Sequence, residues 1–396
     1  TAKIPDASFG ASNILFTYSA SGQRLSMSDQ SGVTTYTYDD RDRLVEKDNP
    51  IGTLLYAYDL QGNLTNIGVQ PQGSSVQSQV SYTYDQLNRL KHVVDPNTGL
   101  TAYNYDLVGN LQSYIYPNGV NHFYEYDALN RLTNLSMNHI TNTLVNYAYA
   151  LNPSGHRLSE RRTKNEAQRT VSYTYDNLFR LTSETISGSI IAGQIAYTYD
   201  PVGNRLERNS TVGNILTKLY SYDMNDLLGS DSYDNVGNTV GALIRDPVSS
   251  FEFQVSDTYD FENRLVGRTT SDGKQIAILY DGDGNRVAKT VYPDGGGVNG
   301  TTIHYLTDDR NLTGYVQVLL ELTPETGNLT PIRSYTYGLD LISQSRIYAA
   351  PGGITQSTNK LSFYGYDGHG NVRCLTDESG LITDSYDYDA FGTLIE

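Results

Sequence analysis

The fold is decided by the stretch Tyr197-Thr198-Tyr199-Asp200-Pro201-Val202-Gly203-Asn204-Arg205-Leu206. Two tyrosines two positions apart lie on one face of a β-strand, and the residue between them lies on the other face. Asp followed three residues later by Gly is typical of a three-residue hairpin loop, in which a type I turn is closed by a left-handed residue and a G1 bulge. The residues after Gly203 then form the return strand. The stretch therefore predicts a β-hairpin.

This motif recurs from one end of the chain to the other, mostly at intervals of about 20 to 26 residues. A single hairpin cannot bury a face alone, so consecutive copies predict a continuous antiparallel meander stabilised by neighbouring hairpins. The positions that we assign to the structural motif are Tyr36, Tyr38, Asp39, Tyr56, Tyr58, Asp59, Gly62, Tyr82, Tyr84, Asp85, Asn88, Tyr103, Tyr105, Asp106, Gly109, Tyr124, Tyr126, Asp127, Asn130, Tyr173, Tyr175, Asp176, Tyr197, Tyr199, Asp200, Gly203, Tyr364, Tyr366, Asp367 and Gly370. Further copies end at Asp223, Asp234, Asp260, Asp281 and Asp389.

We call the loop that begins at the motif aspartate the Asp turn. Gly or Asn stands three residues after the aspartate in ten of thirteen copies, and Asp42, Phe179 and Asp226 are the exceptions. Because Phe tolerates a positive φ poorly, we expect the turn at Phe179 to be built differently. In every copy, the aspartate side chain can accept a hydrogen bond from the backbone N–H two residues on. A second turn, such as residues 95–99, 117–119, 271–273 or 377–380, leads to the next hairpin.

The composition agrees with an all-β protein. The chain has 34 Tyr, 36 Gly and no Trp, and hydrophobic residues make up 38% of it. Tyr brings a large apolar area and a hydroxyl that can stay hydrated, so we interpret the Tyr pairs as sheet packing, with a Leu of the return strand beside them. The single cysteine, Cys374, has no partner for an internal disulfide, and we expect it to be a small buried apolar residue.

The charge restricts the possible partners. A net charge of −16 and a pI near 4.7 argue against nucleic acid, because phosphate binding needs a basic surface. No apolar run approaches the roughly 18 residues of a membrane-spanning helix. The sequence therefore predicts neither nucleic-acid binding nor a membrane span.

The repeated Tyr-x-Tyr-Asp-x-x-Gly-Asn-Arg-Leu pattern resembles the YD repeat of the RHS family, which includes bacterial polymorphic toxins, the B and C components of Tc toxins, wall-associated proteins and animal teneurins. The resemblance covers essentially the whole chain, thinning between Tyr292 and Tyr335. It implies a curved, spiralling β-strip that forms part or all of a hollow shell around a toxin or cargo domain of the same parent protein. It also implies secretion or display on a cell surface.

We expect three regions along the chain. Residues 1–12 are interpreted as an irregular leader, and residues 13–360 as the hairpin array, with longer loops near 292–335 and 349–360. Residues 361–396 resemble the terminal repeats of the family, which lead toward an RHS-associated core that is not present in the sequence. No segment has a helical period of useful length.

No catalytic or cofactor-binding constellation is predicted, so we do not expect an enzyme. The six His have no paired metal-ligand spacing, and we interpret each as a surface residue of a turn or strand. Asp281, Asp283 and Asn285 have the spacing of the start of a calcium loop, but a glycine at the sixth position and a closing glutamate are missing. These three residues are a weak calcium candidate, because the same letters form one more Asp turn.

Three functions remain in competition at this stage. The leading hypothesis is a non-catalytic shell scaffold that encloses or presents a cargo. The second is an extracellular adhesion module, whose Tyr-rich acidic face contacts glycans or cell-surface proteins. The third is self-association through the open edges of the β-strip.

Overall fold

The computed structural model describes residues 1–5, 13–74, 78–164, 167–188, 191–245, 252–295, 297–325, 328–348 and 358–395. All regular secondary structure in these residues is β-strand. The predicted all-β class, built from tandem antiparallel hairpins, is confirmed. The described residues contain no helix that is long and apolar enough to cross a membrane.

The strands belong to two sheets. The first sheet comprises β1 (Ala2–Lys3), β2 (Ile14–Tyr18), β3 (Arg24–Asp29), β4 (Gly32–Tyr38), β5 (Leu44–Asn49), β6 (Gly52–Tyr58), β7 (Leu64–Pro71), β8 (Ser78–Tyr84), β9 (Leu90–Asp95), β10 (Gly99–Tyr105), β11 (Leu111–Ile115), β12 (Val120–Tyr126), β13 (Leu132–His139), β14 (Asn142–Leu151), β15 (Arg157–Lys164), β16 (Ala167–Tyr175), β17 (Leu181–Ser187), β18 (Gly193–Tyr199), β19 (Arg205–Ser210) and β20 (Lys218–Leu219). The second comprises β21 (Ser232–Tyr233), β22 (Thr239–Arg245), β23 (Glu252–Tyr259), β24 (Leu265–Thr270), β25 (Gln275–Tyr280), β26 (Arg286–Tyr292), β27 (Thr301–Asp308), β28 (Gln317–Glu325), β29 (Asn328–Tyr337), β30 (Leu341–Tyr348), β31 (Thr358–Tyr366), β32 (Val372–Thr376) and β33 (Ile382–Ser385).

Each described register joins a strand to the next strand in sequence, in antiparallel orientation. The register shifts by one residue just before the Asp turns, for example between Thr83 and Tyr84. That shift is the bulge predicted from the turn sequence. Beyond it, the second tyrosine of the pair lies opposite the return-strand leucine, as Tyr126 does opposite Leu132. The predicted packing of Tyr against Leu across the hairpin is therefore confirmed.

Contacts within the chain define two compact units. Unit 1 comprises Thr1–Gly99 and Asp231–Leu361, and unit 2 comprises Leu100–Ser230 and Ser362–Glu396. The core of unit 1 includes Met27, Leu54, Leu306 and Leu322, all of which are fully buried. The core of unit 2 includes a cluster formed by Val171, Ile186, Ile195, Tyr197, Val212, Ile215 and Ile395. Each unit thus combines an early and a late part of the chain.

In unit 1, Asp turns of late hairpins pack against second turns of early hairpins. The backbone N–H of Gly282 donates to the carboxylate of Asp29 at 2.5 Å, 253 residues earlier. A Cβ atom on Gly282 would lie 2.6 Å from Ile14 Cγ2 and 2.9 Å from Met27 Sδ. Glycine therefore allows an approach that any side chain would prevent. Beside it, Arg24 binds both oxygens of Asp283 at 2.8 and 2.6 Å.

In unit 2, turns of late hairpins also pack against early parts of the chain. The amide of Asn118, in a second turn, donates to the backbone oxygen of Asp377 at 2.8 Å, 259 residues later. The backbone N–H of Gly368, in an Asp turn, donates to the hydroxyl of Tyr149 at 2.7 Å. A Cβ atom on Gly368 would lie 2.6 Å from Leu132 Cδ2. The Gly after the aspartate therefore permits a close approach at Gly282 and at Gly368.

The expected regions can be compared with the strands. Within residues 1–12, Ala2–Lys3 is not irregular but pairs with β2, because Ala2 lies opposite Leu15, while residues 6–12 lie outside the described residues. Between 292 and 335 the structure has three strands, β27 to β29, and describes loop residues at 293–295, 297–300 and 309–316. Of the predicted loop at 349–360, residues 349–357 lie outside the described residues and 358–360 begin β31.

The close approach of Gly282 gives a direct test of this packing. We expect Gly282→Ala to lower the free energy of unfolding by about 1–3 kcal/mol, because the added methyl group overpacks the contact with Ile14 and Met27. Gly213→Ala is the matched control, since its Cβ would meet nothing within 4 Å. Urea denaturation followed by tyrosine fluorescence measures both. Equal stability of the two variants would contradict the packing described here.

Candidate functional site

In most of the described Asp turns, the aspartate carboxylate accepts hydrogen bonds from three donors. In the turn at Asp85, one carboxylate oxygen accepts the N–H groups of Leu87 at 2.8 Å and Arg89 at 3.0 Å. The other oxygen accepts Arg89 Nε at 2.7 Å. These hydrogen bonds, first from the backbone and then from the guanidinium, lower the pKa of Asp85. The sequence predicted the bond two residues on and missed the two bonds from the fourth residue.

The residue three positions after the aspartate has a positive φ throughout the motif. This holds for the glycines and asparagines assigned to the motif and also for Asp42, Phe179 and Asp226. The expectation that the Phe179 turn is built differently is wrong. Phe179 has a φ of 60°, and its N–H donates to Asp176 O at 3.0 Å as in the other turns. Its ring stacks on His156, with centroids 4.4 Å apart, which offsets the backbone strain.

Successive Asp turns are also joined to each other by the fourth residue. In one class of turn, the residue with positive φ is Gly and the next residue is Asn, Gln or His. Its side chain contacts the residue with positive φ in the next turn, as the Asn110 amide does with the Asn130 side chain at 3.0 Å. In the other class, Arg follows the left-handed residue and reaches a backbone oxygen of the next turn, as Arg180 does with Asp200 at 2.8 Å. The two classes alternate from Gly22-Gln23 to Gly284-Asn285, except at Asp226-Leu227, where Leu stands in place of Arg. The alternation is visible in the sequence, and our interpretation missed it.

The Tyr pairs divide into two roles. The first tyrosine of each pair is buried or half-buried. The buried ones are Tyr36, Tyr56, Tyr82, Tyr103 and Tyr197, and the half-buried ones are Tyr124, Tyr173 and Tyr364. The second tyrosine is half-buried in the other copies and buried in Tyr366. The hydroxyl of the second tyrosine commonly donates a hydrogen bond to a backbone oxygen of the preceding hairpin. This bond is made by Tyr38, Tyr58, Tyr84, Tyr126, Tyr175, Tyr199, Tyr222 and Tyr259. By sequence alone, these hydroxyls can stay hydrated. In the structure they form hydrogen bonds between one hairpin and the next.

One histidine does not lie on the surface, contrary to expectation. His122 is fully buried in unit 2, and neither of its ring nitrogens has a hydrogen-bond partner among the described residues. Its ring stacks on Tyr114 with centroids 4.2 Å apart and contacts Tyr116, whose ring stacks on Phe363. Burial lowers the pKa of His122 to about 3. Alternation with the exposed Phe123 and the half-buried Asn121 could have indicated the inward position.

The calcium candidate forms an ordinary Asp turn. The carboxylate of Asp281 accepts the N–H groups of Asp283 and Asn285 and the side-chain amide of Asn285. Asp283 binds Arg24 instead of facing Asp281. Among the described residues, no group of three His, Cys, Asp or Glu side chains is close enough to hold a metal ion. Cys374 is buried beside Met137, as expected, and burial raises its thiol pKa to about 11.

A charged cluster in unit 2 is the main feature that sequence reasoning missed. Asp387 binds Arg162 and Arg169, and Arg373 binds Asp367 at 2.6 Å. Glu160 is buried next to Arg157, with 3.2 Å between them, and burial raises the pKa of its carboxyl. These residues come from β15 and β16 and from residues more than two hundred positions later, as for Arg162 and Asp387 at a separation of 225. No local sequence signal connects them.

A cleft of about 470 Å³ opens over this cluster. Its lining residues are Arg157, Glu160, Tyr173, Tyr175, Leu181, His369, Asn371, Val372, Arg373, Tyr388, Asp389, Ala390 and Gly392. All of them belong to unit 2. The size lies in the range of small-molecule sites.

The fold and its turns define a repeat protein built from Tyr-Asp hairpins. Residues 10–208 match the family model described as the teneurin YD-shell. The chain therefore belongs to the teneurin YD-shell family, and the resemblance to YD-repeat proteins is confirmed.

Curated relatives match part of the chain. It is 34% identical over 227 residues to the tRNA3(Ser)-specific nuclease WapA of Bacillus spizizenii. It is 32% identical over 227 residues to the tRNA nuclease WapA of Bacillus subtilis. Both matches cover 55% of this chain and 8% of the relative. The chain thus matches a small part of these much longer proteins.

Solved structures share the fold. The TcdB2–TccC3–TEV structure has a TM-score of 0.59 with 14% identity, over 97% of this chain and 24% of that chain. The Photorhabdus luminescens Tc holotoxin pore has a TM-score of 0.58 with 14% identity and the same coverage. The fold of nearly the whole chain therefore occurs within a quarter of these larger chains.

The buried His122 makes stability depend on pH. The unfolded ring titrates near 6.5 and the folded ring near 3, so the unfolded state binds the proton first as the pH falls. We expect the folded state to lose about 2 kcal/mol between pH 7 and pH 5 through this group. Urea denaturation at both pH values should show a correspondingly smaller loss for His122→Phe. Equal losses of stability in the wild type and in His122→Phe would contradict this account.

Proposed function

We propose that this chain is a non-catalytic segment of a protein shell, which encloses or presents a toxin or other cargo domain of the same parent protein outside the cell. The observation that carries the proposal is the edge packing inside each unit. Turns of late hairpins bind strips that precede them by 206 to 262 residues, as in the contacts of Ala390 with Glu184 and of Asp309 with Lys47. The wall of a shell needs such contacts between neighbouring stretches of the β-strip, and we call these contacts seams.

The seams contain buried charges and hydrogen bonds. In unit 1, Lys47 is 2% exposed and binds Asp309 at 3.0 Å. The neighbouring Asp308 is fully buried and accepts the hydroxyl of Tyr56 at 2.8 Å. Breaking a buried charge pair leaves an uncompensated charge, which is strongly unfavourable. Seams of this kind favour a closed arrangement over one that slides or opens, which suits the retention of a cargo.

The curated relatives agree with a scaffold role and an enzymatic activity that belong to different parts of one protein. The WapA proteins are named as tRNA nucleases, and this chain matches 8% of their length. We assign the enzymatic activity in those names to other parts of the relatives, and a scaffold role to the part that this chain shares. Its net charge of −16 is also unfavourable for binding tRNA.

The purified chain should leave total tRNA intact, and metal-dependent or metal-independent cleavage that copurifies with it would overturn the non-catalytic role.

Protease protection tests enclosure. In the parent protein, we expect the cargo domain to resist protease under native conditions, because the seams exclude the enzyme. Gly368→Leu should speed cargo digestion several-fold, since the added side chain would meet Leu132 and the Tyr149 ring. Gly213→Leu, in open space, should leave the rate unchanged. A cargo that is digested equally fast in the wild type and after deletion of the repeats would rule out enclosure.

A second candidate function is attachment to a partner protein, and one observation favours it. The Asp turns of unit 2 expose apolar side chains in a row, and hydrogen bonds such as Asn110 to Asn130 and Asn204 to Asp226 join consecutive turns. The exposed side chains are Leu107, Val108, Leu129, Leu178, Phe179, Val202 and Met224. Exposed apolar patches of this extent commonly mark interaction sites.

The apolar row can be tested on cells. We expect fluorescently labelled chain to bind intact target cells, and Leu107→Ser combined with Leu129→Ser and Met224→Ser to reduce binding at least several-fold. These side chains are 69–107% exposed, so the triple variant should keep the wild-type denaturation midpoint. Unchanged binding by the folded triple variant would exclude the row as an attachment surface.

A further inference from the structure

A buried lysine in a seam of unit 1 lies against a carboxyl group with which it can react. Lys47, in β5, is 2% exposed, and lysine is almost never buried to this extent without a partner. Its Nζ atom lies 3.0 Å from Oδ1 of Asp309, the residue that follows β27. An ammonium group has three donors, and the described residues offer this one a single acceptor. The charged form of the amine is therefore poorly satisfied by the protein.

A second carboxyl group accompanies the pair. Asp308 is fully buried, and its Oδ1 accepts the backbone N–H of Arg310 and the hydroxyl of Tyr56, each at 2.8 Å. Its Oδ2 has no hydrogen-bond partner among the described residues. Burial raises the pKa of this carboxyl group, and the charges of Asp309 and Lys47 both act on it. A neutral acid with an unengaged oxygen can carry a proton between an amine and a neighbouring carboxylate.

The amine faces a small cavity rather than bulk water. The cavity has a volume of about 90 Å³, and Lys47 lines it together with the buried Ile51, Val287 and Tyr305. A water molecule released at the amine can enter this space or leave past Asp309, whose side chain is 23% exposed. Two groups held in contact in this way react with effective molarities on the order of 10⁵–10⁸ M, which favours condensation over the free amine and acid.

We propose that Lys47 and Asp309 condense to an isopeptide bond. One proton first passes from Nζ to the Asp309 carboxylate, with Asp308 as the relay. The nitrogen lone pair then attacks Cγ of Asp309, so that the Nζ–Cγ bond forms and one Cγ–Oδ bond breaks. The oxygen leaves as water, and both of its protons come from the ammonium group. The step needs no oxidant, and it removes two charges whose desolvation is unfavourable.

The proton balance sets the pace of the reaction. Burial disfavours the ammonium form, yet the Asp309 carboxylate keeps the pKa of Lys47 above its usual value. The reactive neutral amine is therefore a minor form, and the bond forms slowly in the folded protein. Lys3 and Glu262 provide a comparison within the chain, since they lie 2.6 Å apart on side chains that are 37% and 26% exposed. Water reaches that pair, so we expect it to remain a salt bridge.

The bond changes the seam from a reversible contact into a covalent one. Lys47 and Asp309 are 262 residues apart, and both belong to unit 1. A crosslink between them holds the early and late parts of this unit together even when hydrogen bonds and packing are lost. It also restricts the unfolded chain, which raises the denaturation midpoint. The proposal goes beyond the scaffold role and does not require an enclosed cargo.

Mass spectrometry of the fully unfolded chain, after incubation of the folded protein, tests the bond. We expect a mass one water molecule below that of the sequence, and a proteolytic peptide that joins Lys47 to Asp309. Lys47→Arg keeps the positive charge and should show its full mass. Asp309→Asn should form the same bond with loss of ammonia instead of water. A wild-type chain that keeps its full mass, with Lys47 and Asp309 in separate peptides, would overturn the proposal.

The relay is tested by the rate of crosslinking. Asp308→Asn keeps Oδ1 as the acceptor for Tyr56 and Arg310 but cannot carry the proton. We expect it to slow the appearance of the lighter chain roughly tenfold or more. Glu262→Gln, at the exposed pair, should crosslink at the wild-type rate. A folded Asp308→Asn variant that reacts as fast as the wild type would refute the relay, and the wild-type mass decides the bond itself even if a variant misfolds.

Discussion

An aspartate carboxylate closes most of the Tyr-Asp hairpins that the structure describes, and the rest of the fold depends on that turn. One oxygen holds two backbone N–H groups, and the other holds the side chain of the fourth residue, as Asp127 holds Arg131. The turn forces a positive φ at its third residue and a bulge in the strand before it. Because the turn fixes the register, it decides which face each tyrosine occupies. A slip by one residue would expose every buried tyrosine of the hairpin.

A second set of hydrogen bonds joins consecutive hairpins into a continuous β-strip. The hydroxyl of Tyr126 donates to Leu111 O, and comparable bonds occur in both units. The side chain of the fourth turn residue adds a bond between adjacent turns, such as that of Arg43 with Asp59 O at 2.9 Å. Neither link needs a deep hydrophobic core, which agrees with a chain that is 38% hydrophobic. Stability is then distributed along the strip, as in other repeat proteins.

A comparison of predicted and observed positions separates local from non-local information. The hairpin, the bulge and the Tyr–Leu pairing could be predicted because all their atoms lie within about ten residues of one another. The turn at Phe179 was misjudged, since the stack on His156 comes from the preceding turn, which begins at Asn152. His122 was also misjudged, because its ring packs against Tyr116, which in turn stacks on Phe363 from β31. Steric preference alone does not report such contacts.

The sequence by itself determined the all-β class, the chain of hairpins and the turn that closes each one, because these follow from spacing and backbone preference over a few residues. Only the tertiary structure decided which turns dock closely and where charged groups meet. Gly282 and Gly368 look like other turn residues in the sequence, yet each lies against strands more than two hundred residues away. The cleft over Glu160 and Asp389 arises in the same way. The physical reason is that edge packing depends on the path of the whole strip, which no local pattern encodes.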